Sequence, residues 1–149
     1  MTVSDGSATD ETTFVLTVVN PNPDYAGWVA GYPTLGDATA GGDPDGDGIA
    51  NAMEYFMGLD PTLDDAAGAV GQQIASDSVL FDYRRSKSIN GITSTVKWST
   101  EPGISAVWSS DSVTDVWLLD EGAYEWRRAT VPWTPDLGDI FLRIDLTIE

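Results

Sequence analysis

The side chains of greatest chemical interest lie in residues 43–54, DPDGDGIANAME, where oxygen-bearing groups recur at short intervals. A calcium ion takes roughly six to eight oxygen ligands, and a twelve-residue loop supplies them from positions 1, 3, 5, 7, 9 and 12. The sequence matches this spacing. We therefore predict a Ca²⁺ site whose ligands, in chain order, are Asp43, Asp45, Asp47, the backbone carbonyl of Ile49, Asn51 and Glu54.

A glycine at the sixth position supports this interpretation, because Gly48 stands where such a loop must turn sharply. The alternative is a solvated acidic surface turn, since aspartate, glycine and proline are also common turn residues. A turn of that kind has no need for Glu54 at the twelfth position. We therefore favour the metal site over the turn.

The segments on either side of the loop differ from a helix–loop–helix unit. Residues 31–42 before the loop are rich in glycine, proline and threonine, which disfavours an entering helix. After the loop, Ala50, Met53 and Met57 share one helical face, and Gly58 supplies a stop. We expect a helix of about two turns, which is marginal on its own and is stabilised by metal ligation.

The composition excludes several classes of protein. The net charge is −17, and residues 1–83 contain 14 acidic and no basic side chains. Nucleic acid and anionic membrane surfaces are therefore poor partners, whereas divalent cations are good ones. The chain has no cysteine and no histidine, which removes disulfides, thiolate and Ser-His chemistry and the common zinc sites. No membrane-spanning stretch or signal peptide is recognisable, so an exported protein would be a mature form or a piece of a longer one.

The pattern of the chain divides it into three predicted units. Residues 1–20 form an N-terminal strand segment, in which residues 11–19 are apolar on both faces. Residues 21–65 form a linker and a calcium-binding loop–helix unit, opened by a short helical turn that Asp24 caps. Residues 66–149 form an antiparallel β domain. The predicted fold is mainly β, an antiparallel β-sandwich or open barrel with a short EF-hand-like calcium loop and one or two short helices.

The β domain is predicted from residues that alternate between apolar and polar types. The clearest strand is the last one, where Ile144 and Leu146 share a face opposite Arg143 and Asp145. The predicted strands are residues 79–85, 92–99, 113–119, 124–131 and 140–148, with residues 106–109 as a weaker candidate.

These residues resemble a known family. The loop followed by EYFMGLDPTLDD is similar to the bacterial thrombospondin type 3 calcium repeat. The longer arrangement, with LFDYRRS, TVKWST and FLRIDL, resembles C-terminal modules of large secreted surface proteins of the Verrucomicrobia and Planctomycetes type. The opening VSDGSATDETTFVLTVVN resembles the last strand of an immunoglobulin-like or cadherin-like repeat. The resemblance implies an extracellular, calcium-bound, non-catalytic module.

A second acidic group follows the loop, formed by Asp60, Thr62, Asp64 and Asp65. These residues either form a degenerate second site, complete the first one, or make a capped acidic turn after Pro61. The spacing does not separate these alternatives.

Five tryptophans lie in the predicted β domain, and they allow a sugar-binding alternative. Aromatic faces on a β-sandwich can stack on sugar rings, but tryptophans more often bury large area in the core or across strands. Trp98 and Trp126 lie on the apolar phase of their strands, which favours the core. Carboxylates such as Asp120, Glu121 and Glu125 could be read as a glycosidase pair, but they are more simply solvated hairpin residues.

We therefore predict a calcium-stabilised structural or assembly module of an extracellular or cell-surface protein, without enzymatic activity. Calcium is the expected cofactor. Two alternatives stay open: a filament subunit that polymerises by donating residues 11–19 to the sheet of another copy, and a carbohydrate-binding module that recognises surface glycans. Nucleic acid and membrane insertion are not expected.

Overall fold

The fold was obtained as a computed structural model, which describes residues 22–149. The strand predicted for residues 11–19 lies outside this range. Among the described residues, no helix has the length and apolar character needed to cross a membrane.

Two short α-helices precede the strands. The first, α1 (Tyr25–Val29), begins as predicted at Asp24, whose side chain accepts a hydrogen bond from the backbone N–H of Gly27 at 2.8 Å. The second, α2 (Asn51–Met57), ends at Gly58, which adopts a φ of 70°. This left-handed conformation favours glycine, and it confirms Gly58 as the stop signal.

Residues 22–149 contain six antiparallel strands in two sheets, so the prediction of a mainly β, sandwich-like fold is confirmed. The strands are β1 (Val70–Ile74), β2 (Ser78–Ser86), β3 (Ile92–Ser99), β4 (Thr114–Asp120), β5 (Tyr124–Pro132) and β6 (Phe141–Ile148). The larger sheet has the order β1-β2-β5-β4, and the smaller one pairs β3 with β6. A 3₁₀ turn, Pro135–Leu137, precedes β6.

The core lies between the sheets and continues onto α2. Tyr83 and Ala129 from the larger sheet and Val96 from the smaller one are buried in one cluster with residues of α2. The ring of Phe56 stacks on that of Tyr83, with centroids 6.0 Å apart. The cluster therefore contains residues from both the predicted loop–helix unit and the predicted β domain.

The strand predictions differ from the structure in two places. β1 was not predicted, because Gly71, Gln72 and Gln73 give no apolar alternation; it forms by pairing with β2 in register from Val70 opposite Tyr83. Residues 106–109 form no strand, and only Ser109 makes an isolated bridge, to Trp98. The remaining strands agree with the predicted ones to within one residue at each end.

The tryptophans are less buried than the core interpretation expects. Trp98 and Trp126 are half-buried, and Trp117 is 58% exposed. Trp117 lies on β4, a strand at the sheet edge whose seven residues are all exposed. An edge strand has a neighbouring strand on one side only, so its side chains are less covered. The alternation of apolar and polar residues does not show which strand lies at the edge.

Candidate metal centre

The segment before the loop, residues 37–42, forms a platform that holds the start of α2. The Asn51 side-chain amide donates to the backbone carbonyls of Asp37, at 2.7 Å, and Thr39, at 2.8 Å. Its backbone N–H donates to Gly42 O at 2.8 Å. Because both side-chain contacts are with carbonyl oxygens, the nitrogen of the amide must face them. The Asn51 Oδ1 atom is thereby turned the other way; it is buried and has no hydrogen-bond donor among residues 22–149.

The first turn of the loop is closed around Asp43. Its Oδ1 accepts from the N–H of Gly46 at 2.9 Å, and its Oδ2 accepts from the N–H of Gly48 at 3.1 Å. Gly48 adopts a φ of 91°, a conformation that side chains with a Cβ rarely take. The glycine predicted at the sharp turn is therefore required there by the backbone.

The next two aspartates are oriented in the same manner. Asp45 Oδ1 accepts from the N–H of Asp47, and Asp47 Oδ1 accepts from the N–H of Ile49 at 2.8 Å. The second oxygen of Asp45 is buried and has no donor in the part of the chain that the structure describes. Within the described part of the chain, the Ile49 carbonyl accepts no backbone hydrogen bond. Both groups are therefore free to act as further oxygen ligands.

Glu54 is the most unusual residue of the site. It is 0% exposed, and neither of its carboxylate oxygens has a hydrogen-bond partner among the described residues. Burial, followed by the negative charges of Asp45, Asp47, Asp65 and Asp43, raises the pKa of Glu54 to about 8.

Asp65 reaches this site from outside the loop. Its Oδ2 accepts from the N–H of Asp60 at 3.2 Å, while its Oδ1 is buried without a partner. A carboxylate oxygen from each of Asp47, Glu54 and Asp65 lies within 4.8 Å of the others, and the same holds for Asp43, Asp45 and Asp47. The acidic side chains therefore form two groups that share Asp47.

The other residues of the second acidic group behave differently. Asp60 Oδ1 accepts from both the N–H and the hydroxyl of Thr62, at 3.1 and 2.7 Å, which is a capped turn. Asp64 is exposed. The capped turn that the sequence allowed thus describes Asp60 and Thr62, whereas Asp65 belongs with Asp47 and Glu54.

An aromatic cluster packs beside Glu54. The ring of Tyr55 contacts those of Tyr25 and Trp28, at centroid distances of 5.8 and 5.5 Å. Burial raises the pKa of Tyr25, and the charges of Asp37 and Glu54 raise it further. The rings of Tyr25 and Trp28 thus pack against the core cluster that contains Tyr55.

The residues present fit a bound cation. The buried atoms without a partner around the loop are all acceptors: Asp45 Oδ2, Asn51 Oδ1, both Glu54 oxygens and Asp65 Oδ1. Buried acceptors are normally paired with a donor or a positive centre. All of these unpaired atoms are hard oxygens, the ligand type that Ca²⁺ and Mg²⁺ prefer.

The structure thus places the predicted site residues as follows. The carboxylates of Asp43, Asp45 and Asp47 come together in the loop. Asn51 and Glu54 both have buried oxygens without a partner among the described residues. The Glu54 carboxylate groups with those of Asp47 and Asp65. The sequence left the role of Asp65 open. Its only sequence signal is an acidic pair that follows the helix stop at Gly58.

Comparison of the chain with protein-family models, with curated proteins and with solved structures finds no match.

Proposed function

We propose that this chain is a calcium-stabilised structural module of an extracellular or cell-surface protein, working without catalysis. The observation that carries the proposal is Glu54, a fully buried carboxylate with two unpartnered oxygens next to Asp47 and Asp65. An unpaired buried charge costs several kcal/mol, so the folded state needs a compensating positive group at this position. A bound cation supplies that charge.

A proton alone is a poorer explanation of the site. Protonation neutralises Glu54 and provides one donor, yet further buried acceptors remain on Asp45, Asn51 and Asp65. One cation contacts several of these oxygens at once. The number of acceptors therefore favours a metal ion over a proton.

Among metal ions, the ligand set favours calcium. It contains only oxygens, and the chain has neither cysteine nor histidine for zinc or copper. Magnesium demands a tight octahedron and keeps several waters, whereas a loop closed by a glutamate suits the larger, more flexible calcium sphere. Calcium is abundant outside cells, which supports the proposed location, and its extracellular sites bind with Kd values of roughly 10⁻⁴ to 10⁻³ M.

The proposed role is to hold α2 against the sheets. Glu54 lies in the same short helix as Tyr55, Phe56 and Met57, which are buried in the shared core. The Tyr55 hydroxyl also contacts Asn90, accepting from its N–H at 2.7 Å. Ligation of Glu54 therefore fixes the helix that packs the loop against the β-sandwich.

A calcium titration followed by calorimetry tests the proposal. The wild-type chain should bind calcium, and bind magnesium more weakly, while Glu54→Gln should lose most of the affinity at nearly unchanged side-chain volume. Glu101→Gln, which removes an exposed glutamate, is the matched control and should bind as wild type. No saturable calcium binding by the wild-type chain would overturn the proposed function.

Carbohydrate binding is the second candidate, and Trp117 favours it. Trp117 is 58% exposed and lies directly opposite Arg127 on the neighbouring strand. Arg127 and Asp115, paired at 3.0 Å, line an open cleft of about 320 Å³ between the sheets, together with Thr93 and Ser94. An exposed aromatic face beside paired polar side chains offers both stacking and hydrogen bonds to a sugar ring.

Binding to a panel of polysaccharides distinguishes this candidate. Sugar binding predicts a saturable affinity that Trp117→Ala removes without lowering the melting temperature, whereas Leu118→Ala, an exposed neighbour, retains it. A blank panel for the wild-type chain would exclude the candidate.

A further inference from the structure

The acidic side chains at the metal centre form two groups instead of one. Asp43, Asp45 and Asp47 make the first, and Asp47, Glu54 and Asp65 make the second. Within each group, one carboxylate oxygen per residue lies within 4.8 Å of the others. Only Asp47 belongs to both groups.

The spacing limits how many of these oxygens one ion can bind. Calcium–oxygen distances are about 2.3 to 2.6 Å, so two oxygens on the same ion lie at most about 5 Å apart. Each group of three satisfies this limit, but the five residues do not combine into a single group. The described arrangement therefore offers room for two adjacent ions, one for each group.

The carboxylate of Asp47 is oriented as a bridge. Its Oδ1 accepts from the N–H of Ile49, inside the loop, and its Oδ2 accepts from the N–H of Ala66 at 3.0 Å, next to Asp65. Each carboxylate oxygen has a second lone pair. The two oxygens of Asp47 can therefore serve one group each.

The charge of the site leads to the same conclusion. Five carboxylates carry a formal charge of about −5 when ionised, and one calcium ion leaves about −3 around a fully buried Glu54. Two ions leave about −1. No lysine or arginine is paired with any of these five carboxylates in the described residues, so a second ion supplies positive charge that the protein's own cations do not.

An independent observation supports a ligand in the second group. Glu54 is 0% exposed, and both of its oxygens are buried without a partner; Asp65 Oδ1 is likewise buried and unpaired. The loop ligands Asp43, Asp45 and Asp47 accept backbone N–H groups, whereas Glu54 accepts none. The buried carboxylate oxygens that lack any hydrogen bond are thus concentrated in the second group, on Glu54 and Asp65.

We propose that the site binds two calcium ions, the first within the loop and the second between Asp47, Glu54 and Asp65. This inference rests on the proposed calcium function. The second ion joins α2 to the segment that leads into β1. Asp65 lies in this segment, and at its end the carbonyl of Ala69 accepts from the N–H of Arg84 on β2 at 3.1 Å. Calcium then links the loop, the helix and the larger sheet.

Native mass spectrometry with calcium titration counts the ions. We expect two per wild-type chain, one per Asp65→Asn chain and two per Asp64→Asn chain. Asp64 is the exposed neighbour of Asp65 and provides a matched control of equal charge change. Circular dichroism of each variant in saturating calcium checks that it is folded.

The outcomes separate this inference from the proposed function. No ion on the wild-type chain contradicts both, whereas a single ion contradicts only the two-ion inference. Equal counts for the wild-type chain and Asp65→Asn also contradict it. If Asp65→Asn does not fold, anomalous diffraction from wild-type crystals grown in calcium decides: two peaks at the site support the inference, and one peak overturns it.

Discussion

At the scale of single residues, the site is defined by where its buried oxygens have no donor. Glu54 and Asn51 are both 0% exposed, and both leave acceptor atoms unpaired. In Asn51 the cause is clear, because its amide nitrogen is committed to two carbonyls of residues 37–39. The Asn51 side chain is thus held in place by the protein itself, which lowers the entropy lost on binding a ligand.

The pKa of Glu54 gives a prediction for the calcium-free chain. The folded pKa of about 8 exceeds the ordinary value of 4.5, so the folded state retains a proton that the unfolded state has lost. Stability should therefore fall as pH rises from about 4.5 to 8 in calcium-stripped buffer. Melting curves across this range, compared with those of Glu54→Gln, measure the effect; a decline of equal size in both chains would contradict it.

At the scale of secondary-structure elements, the loop depends on close packing between residues 37–42 and the start of α2. A Cβ added at Gly42 would lie 2.7 Å from Asp37 O and 2.9 Å from the Asn51 side-chain nitrogen. At the adjacent Gly41 it would meet no atom within 4 Å. The two glycines therefore form a matched pair for testing the platform.

We predict that Gly42→Ala destabilises the fold by about 1 to 3 kcal/mol, because the backbone must shift to relieve the overlap. It should also weaken calcium binding through the displaced Asn51. Gly41→Ala should be close to neutral. Chemical denaturation of both variants in calcium measures the difference, and equal stability of the two would contradict the platform.

The elements also show which features the sequence was able to predict. α2 and its glycine stop were predicted because helix periodicity and capping are local signals, and β6 because five apolar residues alternate. β1 was not, since its residues are held by pairing with β2, a long-range interaction. The position of Asp65 likewise depends on how the chain folds back after α2, which residue spacing does not encode.

At the scale of the whole molecule, the described fold leaves sheet edges open. Among the described strands, β4 pairs only with β5, and its exposed residues include Val116, Trp117 and Leu119. Asn22 donates to Lys87 O, and the Lys87 side chain pairs with Asp120, the last residue of β4, at 2.8 Å. An exposed apolar edge is a common site for addition of a further strand.

The strand-exchange alternative makes a prediction from this edge. Light scattering of the intact chain should show assemblies that grow with concentration, and a chain lacking residues 1–20 should be a monomer. Addition of one copy's strand to the next is a heterologous contact, so filaments are expected by electron microscopy. Monodisperse monomers for both chains, at any calcium level, would rule out assembly by residues 11–19.

The central claim, that a cation compensates the buried charge of Glu54, is tested most directly by thermal unfolding of the wild-type chain and Glu54→Gln, each with saturating calcium and with a chelator at pH 8. The claim predicts that the order of the two melting temperatures reverses between calcium and chelator. Calcium raises the wild-type melting temperature by mass action, so the wild-type chain is the more stable of the two in calcium. In chelator, Glu54→Gln is the more stable, because it removes an unpaired buried charge at nearly constant volume. A wild-type melting temperature that is the same in calcium and in chelator would contradict the claim.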